Sequence, residues 1–153
     1  MSDDCNDRPL VADGDIEPSG APIDFDRLDL IRERLEGDTR FESVDYRPAY
    51  APDRIVFTYD GRFYPASVTT AYVELVWFEN NDFSIHYHEE HRNGSFDHRW
   101  DRHRSEHNSR DHVHPGPDAP TPGRDAAHPP DWRDVLAVVL GEIEDRQRAF
   151  WTA

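Results

Sequence analysis

SVTTAYVELVWF (Ser67–Phe78), the turn Asn80-Asn81-Asp82, and FSIHYHEE (Phe83–Glu90) decide the fold. β-Branched and aromatic residues fill both runs, and the Asn/Asp cluster between them supplies the backbone freedom of a tight turn. Two such runs joined by so short a link pair antiparallel, because a parallel pair needs a crossover of a dozen residues or more. Asn93-Gly94 repeats the hairpin signal and leads into a further strand, Ser95–Trp100. Upstream, RIVFTY (Arg54–Tyr59) has the same character. Asp60-Gly61 then predicts a turn, with Arg62–Tyr64 as a short return strand. The aromatic stripe Trp77, Phe78, Phe83 and Tyr87 is expected in the sheet core.

Helical periodicity flanks these strands. Phe25, Leu28, Ile31 and Leu35 fall on one face after Asp24, and Gly37 closes the segment. Near the C-terminus Asp131 is a candidate N-cap. Beyond it Trp132, Val135, Val139, Ile143 and Phe150 mark one face, with Leu136 and Leu140 beside them. Residues 1–23 are acidic and broken by Pro and Gly, and read as a disordered arm. Residues 101–130 are rich in Pro, His and Arg and read as a long functional loop. The expected architecture is a single α+β domain over 24–153. Its core is an antiparallel meander of about four to five strands, packed by an N-terminal helix and a long C-terminal helix.

The chain has 153 residues with 17 basic and 32 acidic side chains, a formal charge of −15, and every basic residue is Arg. An acid-rich, lysine-free composition matches proteins of salt-accumulating haloarchaea. At molar salt the Debye length is only about 3 Å, so net charge says little about partners. The single Cys5 leaves no intrachain disulfide. No signal peptide is visible, since Met1 to Asp15 has no apolar core, and no apolar run reaches membrane-spanning length, so a soluble cytoplasmic protein is expected.

Charge by window is more informative. Residues 91–114 hold five Arg, four acids and six His, a balance of +1 before any imidazole ionises; the remainder stands at −16. All nine His lie between His86 and His128. Below about pH 6.5 this region is expected to become distinctly positive. Three chemistries can use it. Imidazoles can exchange protons with a phosphodiester while Arg holds the developing charge. His86 with His88, and His112 with His114, have the H-x-H spacing that places two imidazoles on one face of a strand, where they can ligate a metal. An Arg/His surface can also simply bind RNA or an acidic protein.

The run FSIHYHEEHRNGSFDHRWDRHRSEHNSRDHVHP (83–115) resembles the TumE-type toxins of toxin–antitoxin systems. The carrying positions are Arg99-Trp100-Asp101, His107, and His112-Val113-His114, followed by the helix Asp131–Trp151. Arg102 stands where that family often shows Asn, and His103 is separated from His107 where the family has adjacent His. The resemblance implies a small growth-inhibiting toxin restrained by a cognate antitoxin. The mechanism expected with it is metal-independent, cofactor-free RNA cleavage. In that reading His107 and one of His112 or His114 act as base and acid, and Asp101 orients an imidazole. Arg99 stabilises phosphorane-like charge, with Arg102 and Arg104 as further substrate contacts. A non-catalytic protein-binding module and a His-ligated metal protein are the alternatives. Oligomeric state is not legible.

Overall fold

The computed structural model describes residues 20–152. Most of the expected acidic arm therefore lies outside the described residues. Its last positions are tied down: Ile23 bridges Phe78, and the Asp24 amide donates to the Trp77 carbonyl at 2.9 Å.

Helix α1 (Phe25–Glu36) starts at Asp24, whose carboxylate accepts from the Arg27 amide, and ends at Gly37. Then come β1 (Phe41–Arg47), β2 (Arg54–Tyr59), a 3₁₀ turn (Gly61–Phe63), β3 (Val68–Trp77), β4 (Phe83–His91) and β5 (Gly94–Arg102). Two short strands follow, β6 (Asp111–His114) and β7 (Arg124–Asp125), before helix α2 (Trp132–Ala149). All strands join one antiparallel sheet in the order β1-β2-β3-β4-β5-β6-β7.

The seven strands correct the expected four to five. Three elements account for the difference. β1 (FESVDYR) lies at the sheet edge beside β2, and Glu42, Asp45 and Arg47, falling on both faces, hide the strand signal. β6 is four residues long, two of them His, and β7 is two residues long. Both lie inside what read as a loop, where neighbouring strands rather than propensity impose the extended backbone. Conversely, Arg62–Tyr64 makes no return strand. Asp60 caps the 3₁₀ turn by accepting from the Arg62 amide, and the chain returns to the sheet only at Val68.

Alternation gives the sheet two faces. One carries Ile55, Phe57, Val73, Leu75, Trp77, Phe83, Ile85, Tyr87 and Trp100. These form a single core with Leu28, Ile31 and Leu35 of α1 and with Val135, Leu136, Val139, Leu140 and Ile143 of α2. The expected aromatic stripe is in this core or at its margin, whereas Phe25 and Trp151 are exposed.

A polar clamp holds α2 to this face. The fully buried Glu89 carboxylate accepts from Arg146 Nε at 2.6 Å and Nη2 at 2.7 Å, and also from the Tyr87 hydroxyl. The Arg146 guanidinium lies 3.5 Å from the Phe96 ring centroid. Gln147 donates to Tyr64, which shares a 2.8 Å hydrogen bond with Tyr87. Arg146→Met would leave a buried carboxylate without this cation and is expected to lower unfolding stability by about 3 kcal/mol, the low end for a broken buried pair because Arg146 is partly exposed. Urea denaturation checks this, and the double variant Glu89→Gln/Arg146→Met should lose less than the single one.

Candidate functional site

The sheet face turned away from α1 and α2 is polar, and register assembles it. Ser84 pairs with Asp101 and Asp101 with His112; one step along, Glu74 pairs with His86, His86 with Arg99 and Arg99 with His114. Two rows of side chains thus cross the sheet side by side. The i, i+2 rule places Arg99, Asp101 and His103 together, and β6 adds His112 and His114.

Asp101 is fully buried, with its environment built around its two oxygens. Oδ1 accepts from the Ser84 hydroxyl at 2.8 Å. Oδ2 accepts from Arg99 Nε at 3.0 Å, and the Nε2 atoms of His114, His103 and His112 stand 3.3, 3.4 and 3.5 Å from it. The rings of His103 and His112 are nearly perpendicular, as are those of His112 and His114. The far nitrogen of each ring meets a backbone carbonyl. His103 Nδ1 is 2.9 Å from the Arg104 oxygen, His112 Nδ1 2.9 Å from the Ser109 oxygen, and His114 Nδ1 2.8 Å from the Pro120 oxygen. Burial alone would raise the Asp101 carboxyl, but the three imidazoles, when protonated and donating from Nε2, and the Arg99 charge hold it well below the usual carboxylate range.

The surrounding loops are fixed to serve these contacts. The Asn108 side-chain amide donates to the Gly123 carbonyl and accepts from the Gly123 amide, both at 2.9 Å. This ties segment 119–123 to segment 103–110. A Cβ at position 123 would sit 2.2 Å from the Val113 carbonyl oxygen and 3.0 Å from His114 Nδ1, so only Gly lets this strap approach β6.

Of the residues expected from the sequence, Asp101, His112, His114 and Arg99 converge. His103 joins them, and the legible signal for it was the continued alternation past Asp101. Ser84, two strands away from β6, is visible only through register. Arg102 faces the core side. It binds Asp111 at 2.8 Å, donates to the His128 and Pro129 carbonyls, and lies over Phe83, joining β5, β6 and the approach to α2. Arg104 and His107 are exposed in the loop after β5, where the His107 amide donates to Ser105.

A second group shares the polar face. His86 Nε2 and His88 Nδ1 both meet Asp97 Oδ1, at 2.8 and 2.7 Å. Burial would raise Asp97, but these two imidazoles hold its carboxyl far down. The same Asp97 contact raises His88 against the opposing effect of its own burial.

Not every His contributes charge on acidification. His98 faces the core side and its Nδ1 accepts from the Gly116 amide at 3.0 Å, so protonating that atom breaks the bond. Burial, then the Arg124, Arg146, His114 and His86 charges, push His98 down to about 4. The unfolded chain therefore binds more protons than the folded one between about pH 6.5 and 4. The His98 contribution to stability is complete above that window and lost as pH falls through it. His98→Gln, which keeps an acceptor without a titrating group, is expected to flatten this part of the urea-midpoint-versus-pH curve.

Comparison with known families comes to rest on the same region. The family model described as Toxin TumE matches residues 27–147, from within α1 to within α2, and includes every residue of the polar face named above. No curated protein and no solved structure matches significantly. Among the described residues, no helix is long and apolar enough to cross a membrane. With most of its length matched, the chain belongs to the TumE toxin family.

Proposed function

We propose that the protein is the toxin of a toxin–antitoxin pair and arrests growth by cleaving RNA at the Asp101-centred cluster. The observation that carries this reading is the convergence of three imidazoles and one guanidinium on a single buried carboxylate, in a chain of a toxin family. Arg99, with any of the imidazoles that is protonated, places positive potential on the polar sheet face. A phosphodiester that develops charge during cleavage is stabilised by such pre-set donors. The neighbouring His86, oriented by Asp97, is the imidazole best placed to move a proton, since its bond to Asp97 fixes the ring. Arg104 and His107, exposed on the adjoining loop, supply contacts to the RNA backbone rather than to the reacting phosphate.

The antitoxin is a cognate protein that covers this face and its loop. The acid-rich, lysine-free surface supports a chain working in concentrated salt in the cytoplasm, so activity is to be assayed in molar KCl. The composition supplies hydration there and leaves recognition to the local Arg/His surface.

Expression without the antitoxin is expected to arrest growth, and purified protein to fragment total RNA. The double variant His112→Ala/His114→Ala should lose both effects by at least about a hundredfold, in line with removal of a principal charge-stabilising group. His107→Ala should lose far less. RNA left intact by the folded protein in molar KCl would refute the ribonuclease reading. Arrest retained by the double variant would refute the placement of the site. A non-catalytic binding module, by contrast, would keep antitoxin affinity and arrest growth with both His removed.

A further inference from the structure

The three histidines around Asp101 are arranged for something other than hydrogen bonds to it. A carbonyl oxygen only accepts, so the contacts of His103, His112 and His114 with the Arg104, Ser109 and Pro120 carbonyls place a hydrogen on each Nδ1. In a neutral ring so fixed, Nε2 carries a bare lone pair. All three lone pairs then aim at one carboxylate oxygen, an arrangement that is repulsive unless a cation lies between them. Doubly protonating three adjoining rings beside Arg99 would crowd four positive charges around one negative charge, nearly out of water.

Distance separates the two possibilities. A tetrahedral ion with bonds of about 2.0–2.1 Å has ligand atoms roughly 3.3–3.4 Å apart. Asp101 Oδ2 lies 3.3, 3.4 and 3.5 Å from the three Nε2 atoms. The Asp101, His112 and His114 ligand atoms all lie within 4.8 Å of one another. The chain also supplies its own contrast. The His86, His88 and Asp97 group, of similar composition, has closed to 2.7–2.8 Å, the length of direct hydrogen bonds.

We propose that Asp101, His112 and His114 form a binding site for a divalent first-row transition metal, with His103 at its edge and the fourth position open. Nitrogen-rich ligation favours zinc-like ions over magnesium or calcium, which take oxygen. The three carbonyls on Nδ1 fix ring orientation and tautomer, the usual outer partners of metal-bound imidazole. Ser84 and Arg99 play the same role for the carboxylate. The neutral rings, the carboxylate, Arg99 and the ion would leave a net positive centre, suited to an anionic ligand. This inference concerns the cluster studied above but does not depend on the substrate being RNA.

The test uses the full chain without a polyhistidine tag, stripped with a chelator and titrated with Zn(II) in molar KCl. About one equivalent per chain is expected to bind, and the His112→Ala and His114→Ala variants should each bind at least about tenfold more weakly. Circular dichroism identifies the variants that remain folded. Less than half an equivalent bound by the folded wild-type chain overturns the proposal. So does Zn(II) binding that survives His112→Ala/His114→Ala and is lost in His86→Ala/His88→Ala, which would put the ion in the other cluster. Zn(II) binding by a chain that leaves RNA intact refutes the ribonuclease reading and leaves this inference standing. RNA cutting by a chain that binds no Zn(II) does the reverse.

Discussion

A charge removed from water must be compensated where it sits, and the Asp101 carboxylate is the charge on which this protein is organised. Its direct compensation comes from β4 through Ser84 and from its own strand through Arg99, while His103 and, from β6, His112 and His114 close around it. Ser84 reaches it through the β4–β5 register and the two β6 histidines through the β5–β6 register. The β5–β6 pairing that aligns Asp101 with His112 is therefore a condition of the site, although β6 has only four residues. The strap at 119–123 follows from the same requirement, since it carries the carbonyl that fixes His114.

The sheet separates structural work from chemistry by alternation alone. Odd and even positions of β4 and β5 point to opposite sides. Ile85, Tyr87 and Trp100 go to the helices, and Ser84, His86, Arg99 and Asp101 to the polar face. A buried ion pair is present on each side, with different partners. Glu89 and Arg146 join a strand to a helix, so their contribution is read as stability. Asp101 instead gathers three imidazoles and a guanidinium, and the imidazoles are held by backbone carbonyls rather than by packing alone.

Much of this was legible in the sequence, for physical reasons. Long runs with a consistent period, such as Ser67–Phe78 and the C-terminal helix, specify themselves locally. Asp24, Gly37 and Asp131 bound the helices as their side-chain chemistry implies. The strands β1, β6 and β7 were hidden because short or charged segments take their conformation from neighbours. His112, His114, Asp101 and Arg99 could be singled out from local charge and from resemblance. His103 was legible only through continued alternation past Asp101, and Ser84, Asn108 and Gly123 could not be singled out, because their roles depend on pairing and loop closure across distant positions. Arg102 carried the same local signal as Arg99, yet its odd offset of three residues along the strand turned it to the core. The net charge of −15 describes the whole chain, whereas the polar face depends on a few charges that the total conceals.

The central claim is that the chemistry of this toxin resides at Asp101 on the polar face of the sheet. The most direct test is growth arrest by Asp101→Asn, which keeps the size and hydrogen-bonding shape of the side chain but removes its charge, scored in cells where the variant accumulates as soluble protein. Loss of arrest, with circular dichroism of the purified variant matching the wild type, is the result the account predicts. Arrest as strong as that of the wild type would contradict it.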